Sequence, residues 1–248
     1  MSVVDNARMN IVVISLERST RRREAMAAEL AKAGLAAEWF AAVDGAAADA
    51  RSDIRFDQRR SERVRGLALS PGERGAAASH VALWRRCVDR NEPLVIMEDD
   101  ILLGPGLPAA LGAVAQRLDR YGLIRFFMFF PRRHRVEETI GEWQIARYWR
   151  GGTGLQCYAI APAAAAALVS RASPMIFPVD LYLERFWEHG VIPYAVHPFA
   201  VGIRDYGEFP SEIGYRQARQ RRLGTRLVRE IFRARDDARR VLFNAVHR

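Results

Sequence analysis

The sequence predicts an α/β fold with a mostly parallel central sheet and a basic amphipathic helix at its C-terminus. Three observations lead there. Asn10–Leu16, a helical stretch from Ser19 or Thr20 to Ala33, and Trp39–Val43 form a strand–helix–strand unit, and a helical crossover joins parallel strands. Leu94–Met97 is a short apolar run between a turn signal, Asn91-Glu92-Pro93, and three acids, Glu98-Asp99-Asp100. Such a run reads as a strand buried on both faces. Residues 216–248 hold eleven Arg against three acids and repeat apolar residues at helical spacing.

Composition bounds the rest. Half of the 248 residues are hydrophobic, with five Trp and twelve Phe, which supports a packed core and excludes general disorder. Cys87 and Cys157 stand in no zinc or disulfide spacing, as suits a reducing compartment. Ile11–Ile14 is too short for a signal-peptide core and no run approaches a membrane span, so a cytoplasmic protein is expected. Of the net charge of +9, residues 216–248 supply +8, leaving the first 215 near neutral. The expected division is a globular domain over 1–215 and a helical tail over 216–248.

The elements follow in order. Gly34 suits the end of the first helix. Residues 46–66 are polar and aperiodic and read as a long surface loop. Ser70-Pro71-Gly72-Glu73 combines a cap, a first-turn Pro and a capping-box Glu, and predicts a helix to about Arg90 that carries Ser79, His80 and Trp84. Pro105–Arg120 reads as a helix. Ile124–Phe130 and Trp143–Tyr148 read as strands around a basic turn at 132–135. Gly151–Gly154 is a glycine-rich turn, Gln156–Ile160 a strand, and Pro162–Arg171 an Ala-rich helix. Pro178–Glu188 reads as helical and Ile192–Val196 as a late strand.

The chemistry concentrates where the second apolar run ends. Open α/β sheets bind ligands at the carboxyl edge of their strands. Asp99 and Asp100 there can offer oxygens to Mn²⁺ or Mg²⁺, and a cation at that edge can bridge to a nucleotide diphosphate. Glu98 is placed to order the loop. His80 reads either as a core histidine or as a group touching phosphate or the acidic loop, with Trp84 one turn away on the same face. Gly152-Thr153-Gly154 can bring backbone N–H groups close to a ligand. Asp180 opens a helix and can act as a general base, with Glu184 one turn later in reserve. His197, after the last strand, is a candidate third metal ligand. Leu227, Ile231, Ala234, Ala238, Leu242 and Ala245 make an apolar stripe opposite arginines, which reads either as an anionic-membrane surface helix or as a helix docked on the body. Nothing resembling a nucleic-acid module precedes the tail, so no nucleic-acid partner is expected.

In order along the chain, Ile11–Leu16 with Ser19 and Arg22, Ala42-Val43-Asp44-Gly45, Leu69–Gly75 with Ala78-Ser79-His80 and Trp84, Leu94–Asp100, Gly152-Thr153-Gly154 with Tyr158, Pro178-Val179-Asp180 and Phe209–Ile213 resemble the blocks of glycosyltransferase family 25, the lipopolysaccharide-biosynthesis galactosyltransferases and their relatives. Departures, such as Ala76 where that family commonly has Cys, lie outside the acidic motif. The resemblance implies a GT-A-like nucleotide-sugar fold and a UDP-sugar donor, most often UDP-galactose. It also implies a divalent cation on Asp99 and Asp100, and a glycan or glycolipid acceptor of the cell envelope. It further implies that Ser15, Leu16, Arg22, Asp44, Glu98 and the Gly152–Gly154 turn bind the donor; with the basic tail, a cytoplasmic protein peripheral on the inner face of the membrane is the expectation. A catalytically silent sugar-nucleotide-binding protein of the same fold is the alternative, since fold alone does not carry activity.

Overall fold

The computed structural model describes residues 9–48, 53–130, 132–204 and 223–247. The Phe209–Ile213 block and tail residues 216–222 lie outside them. The first unit forms as expected: β1 (Asn10–Ser15), α1 (Thr20–Ala33, closed by Gly34 in the left-handed conformation) and β2 (Glu38–Ala41), with β1 and β2 parallel. Gln58–Arg65 is a helix, α2, where the sequence suggests a loop. Its one apolar residue, Val64, gives no periodicity to read. Its ends are fixed by the Asp57 carboxylate, which accepts from Arg60 N (2.9 Å), and by Gly66.

α3 (Pro71–Arg90) starts at the expected capping box. Ser70 Oγ accepts from Glu73 N (3.1 Å), and Glu73 Oε2 accepts from Ser70 N (2.8 Å). It leads into β3 (Leu94–Glu98), followed by β4 (Ile101–Leu103). The expected helix over 105–120 is two pieces, α4 (Leu107–Ala115) and α5 (Leu118–Tyr121). The strand expected over 124–130 is only β5 (Leu123–Arg125). Beyond it Phe130 N donates to Gly152 O (3.0 Å), outside the regular ladder.

β6 (His134–Ile140) and β7 (Trp143–Tyr148) form a hairpin, so the basic segment opens a strand instead of making a turn. β8 (Cys157–Ile160) and α6 (Pro162–Arg171) follow. The helix expected over 178–188 divides into α7 (Val179–Leu183) and α8 (Phe186–His189). β9 (Tyr194–His197), β10 (Val201–Ile203) and α9 (Leu223–Val246) complete the described chain.

The eight-stranded sheet runs β2-β1-β3-β8-β5-β9-β7-β6, with β4 and β10 as a separate antiparallel pair. It is mixed, which corrects the expectation of a mostly parallel sheet. β1–β2, β1–β3 and β5–β9 are parallel, but β8 runs against both β3 and β5, and β7 against β6 and β9. The two-residue β6–β7 turn dictates antiparallel pairing there. The reversal of β8 has a positional effect. It brings the start of β8, with its glycine-rich approach, to the same sheet edge as the carboxyl end of β3.

Strand alternation sorts each apolar run onto two faces. Val12, Ile14, Leu94, Ile96, Tyr158 and Ile160 join Trp84 and Leu168 on one side. Ile11, Val13, Val95, Met97, Cys157 and Ala159 join Met26, Leu30 and Leu107 on the other. This two-sided burial explains why the runs read as continuously apolar.

Helix α9 packs on the body. Phe232 lies 6.1 Å from Phe177 and Phe243 lies edge-on to Phe186 at 5.3 Å, measured between ring centroids. Asp236 forms an ion pair with the buried Arg185.

Candidate functional site

Two backbone segments meet without side chains between them. A Cβ on Gly45 would lie 2.0 Å from Pro71 O, and one on Gly75 would lie 2.5 Å from Val43 O. Glycine at both positions lets the loop after β2 rest against the first turn of α3. Ser79 Oγ locks the contact, accepting from Val43 N and donating to Gly75 O, each at 2.8 Å.

The result is a cleft of about 250 Å³ lined by the ends of β1, β2 and β3 and by the first half of α3. Ser15, Leu16, Arg22, Asp44, His80, Glu98, Asp99 and Asp100 all face it. Eight of the residues singled out from sequence are thus brought to one place.

The acids differ in their surroundings. Asp99 is held at both oxygens: Oδ2 accepts from Ser15 Oγ (2.6 Å) and Oδ1 from Arg22 Nη1 (3.1 Å). Burial still raises its pKa above the usual carboxylate range. Asp100 Oδ1 is buried and accepts no hydrogen bond. Burial, reinforced by the charge of Glu98, pushes Asp100 up to about 7. The Asp100 oxygen that accepts no hydrogen bond is a hard donor of the kind a divalent cation takes, while Asp99 is already paired with Arg22 and no three ligating side chains gather around it among the described residues. Asp100 would be the principal ligand and Asp99 its pre-positioned neighbour.

His80 is 1% exposed. Its Nδ1 lies 2.8 Å from Tyr158 Oη, which also accepts from Trp84 Nε1 at 2.8 Å. Its Nε2 lies 3.5 Å from Glu98 Oε1. His80 is thus a core residue whose Nε2 faces Glu98.

A separate polar cluster is built around Arg125, also 1% exposed. Its Nη1 donates to Glu184 Oε1 at 2.6 Å, and Thr153 N donates to the same oxygen at 3.2 Å. A Cβ on Gly151 would collide with the Glu184 carboxylate. Glu184 is thereby tied into the Gly151–Gly154 loop and Arg125. Asp180 lies one helical turn away, accepting from Leu181 N (2.8 Å). Burial raises its pKa, and the charges of Glu184 and Glu98 add to the effect.

His197 does not join the acids. It sits on β9, three strands from β3 and so about 14 Å across the sheet. Its Nε2 bonds the Tyr148 hydroxyl and its ring stacks on His134 at 5.0 Å. Among the described residues no three His, Cys, Asp or Glu side chains gather as a metal site, with His197 or without it. The expectation rested on its place at a strand end; the lateral order of strands, invisible in the sequence, separates it from Asp99 and Asp100.

Arg125, Ser79 and Tyr158 carry contacts that sequence reasoning did not assign. For Arg125 a signal was present: a single charge inside the apolar stretch Leu123–Met128 requires a buried partner.

Residues 9–183 match the family described as Glycosyltransferase family 25 (LPS biosynthesis protein). The chain belongs to glycosyltransferase family 25. Similar proteins include a glycosyltransferase 25 family member of Anopheles gambiae, 31% identical over 73% of this chain and 32% of the relative. Another, from Aedes aegypti, is 31% identical over 55% of this chain and 23% of the relative. Procollagen galactosyltransferase 1 of Danio rerio is 27% identical over 75% of this chain and 33% of its own length. The alignments span only about a quarter to a third of these longer relatives. The family 25 match includes every residue that lines the cleft, and also Asp180.

Proposed function

We propose that this family 25 protein transfers a hexose from a UDP-sugar, with galactose as the leading donor sugar, to a hydroxyl of a lipopolysaccharide or related cell-envelope glycan. The family description and the galactosyltransferase relative support the reaction class. The observation that carries the assignment is the buried, donorless Asp100 Oδ1 at the carboxyl end of β3, within a cleft that Arg22 and Ser15 also line. The GT-A-like reading rests on the same placement of acids at a strand end.

The cleft residues divide the work. Ser15 and Arg22 hold Asp99 in one rotamer, so that it and Asp100 face the donor's diphosphate from fixed positions. A bound Mn²⁺ or Mg²⁺ supplies positive charge that offsets the negative charge on departing UDP. Gly152 packs against Phe130 O and Gly154 against Phe129, and the Thr153 backbone is pinned to Glu184, so the loop is held in one shape. Asp180 is the base: as the acceptor oxygen bonds to the anomeric carbon and the carbon–phosphate-oxygen bond breaks, its carboxylate takes the acceptor's proton. Attack opposite the leaving group inverts the anomeric configuration. Glu184 positions this loop and is not the base, because its charge is committed to Arg125.

The test is UDP release from a panel of UDP-sugars with Mn²⁺ and a soluble glycan acceptor, repeated with EDTA. Turnover that depends on the cation and disappears in folded Asp99→Ala and Asp100→Ala supports the assignment. Undiminished turnover in both variants overturns it.

A further inference from the structure

Helix α9 is mounted with its apolar side outward. The side that meets the body holds Arg229, which is 8% exposed beside Gly66, with Phe232, Asp236, Phe243 and Asn244. Asn244 Nδ2 donates to Trp149 O at 2.9 Å. The opposite side is the stripe read from sequence, and it is exposed throughout: Leu227, Ile231 and Leu242 are each 61–67% exposed, and Ala234, Ala238 and Ala245 lie between them. Val241 and Val246 widen it. An amphipathic helix ordinarily buries such a stripe in the core. Here polar and aromatic contacts do the docking, and a continuous apolar strip faces water, which marks an interaction surface.

The charges bordering the strip identify its partner. At 100° per residue, Arg235 falls in line between Ile231 and Leu242, while Arg239 one turn on is turned to the body by Glu188 (3.3 Å). The acids nearby are neutralised within the helix, Glu230 by Arg233 (3.0 Å) and Asp237 by Arg240 (2.6 Å). Residues 216–248 carry a net +8. A second copy meeting this face about a two-fold axis would set the Arg235 rim against itself or against leucine, desolvating guanidinium groups without partners. An anionic bilayer surface meets both needs, since acyl chains take the apolar strip while headgroup phosphates pair with arginines that extend to the interface. No helix among the described residues is long and apolar enough to cross a membrane, so the contact is peripheral.

We propose that α9 is a membrane-surface element, lying in the headgroup plane of an anionic bilayer with its Leu227–Leu242 strip inserted and its opposite face carrying the folded body. The inference stands whether or not the transferase reading does. The experiment is co-sedimentation of the full chain with phosphatidylglycerol/phosphatidylcholine vesicles and with phosphatidylcholine alone. The parent chain is expected to bind the anionic vesicles, and binding should weaken in about 0.5 M NaCl, where headgroup attraction is screened. Leu227→Ser/Ile231→Ser/Leu242→Ser should lower the partition coefficient by at least about tenfold with an unchanged melting temperature, because these side chains are mostly exposed. Should the triple variant melt early, Ala238→Glu repeats the test with one charge at the centre of the strip. Failure of the parent to bind anionic vesicles at low salt overturns the proposal. So does equal binding by folded variants, or a solution dimer that the variants dissolve while vesicles are ignored.

Discussion

The hydroxyl of Tyr158 lies 2.8 Å from His80 Nδ1, and this contact decides which ring nitrogen faces the acidic motif. Trp84 Nε1 can only donate, so it occupies one Tyr158 lone pair. With the Tyr158 proton directed at Nδ1, all three groups are satisfied and His80 presents Nε2–H toward Glu98, 3.5 Å away. Tyr158→Phe removes the restraint while leaving the ring in place. It should lower kcat by about tenfold, the scale of lost orienting contacts around metal sites, and cost about 1–2 kcal/mol of stability. Comparing kcat, KM and Tm of Tyr158→Phe and His80→Ala checks this; full activity in both variants removes His80 from the site.

Asp100→Asn should stabilise the protein and disable it. The folded-state pKa of about 7 lies above the ordinary 3.8, so between those pH values the folded chain keeps a proton that the unfolded chain releases. Stability therefore falls as pH rises through that window, and the full penalty remains above pH 7. The neutral amide escapes it. At pH 8, without added metal, Tm should rise by at least about 2 °C, with no gain near pH 3.5. Turnover should fall by at least about 100-fold, because a ligand to the cation's charge is gone. Calorimetry at the two pH values and UDP release measure the two effects.

Asp180 and Glu184, one turn apart, should fail differently. Asp180→Asn is expected to bind donor and lose transfer, since an amide accepts no proton. Glu184→Ala strands the buried Arg125 guanidinium and should cost about 3–5 kcal/mol, as broken buried pairs do. Urea unfolding together with donor binding separates the two. A fully stable Glu184→Ala that lacks only transfer would give Glu184 the base role.

Acid should unfold the protein partly through His189. Its Nδ1 accepts from Val191 N (3.1 Å) and its Nε2 faces Tyr182 O (3.3 Å), so the buried ring is neutral. Burial pushes its pKa down to about 4 from 6.5. The unfolded chain binds the extra proton between these values. The contribution is therefore intact above pH 6.5 and is lost as pH falls toward 4, by up to about 3 kcal/mol. The slope of unfolding free energy against pH in that window should flatten in His189→Gln.

The part of the site that is local in sequence was legible in it. The capping box fixed where α3 begins, and that start carries Ser79, His80 and Trp84 to the cleft. The apolar run ending at Glu98 placed the acids at a strand end. What sequence patterns did not carry was lateral order. Nothing in Gln156–Ile160 says that it inserts between β3 and β5 against both, because a strand buried on two faces reads the same in either direction. His197 was misjudged for this reason, and Arg125 went unassigned because its partner lies 59 residues away. The α9 stripe was visible in full, but which side of the helix meets the body depended on Phe177, Arg185 and Phe186, in a different part of the chain.

The bare meeting of Gly45 with Pro71 and of Gly75 with Val43 has a consequence for how this cleft can diversify. A wall of main chain against main chain offers no side chain to exchange, and any enlargement there moves β2 and α3 apart. That half is fixed architecture, a template that substitution can break but not retune. Altering the preferred sugar or acceptor is therefore a matter for cleft side chains outside that crossing, such as Arg18, Ala46 and Ala76. A saturation library confined to those positions should yield folded proteins with altered substrate preference, and one confined to the glycine crossing should yield chiefly unfolded ones.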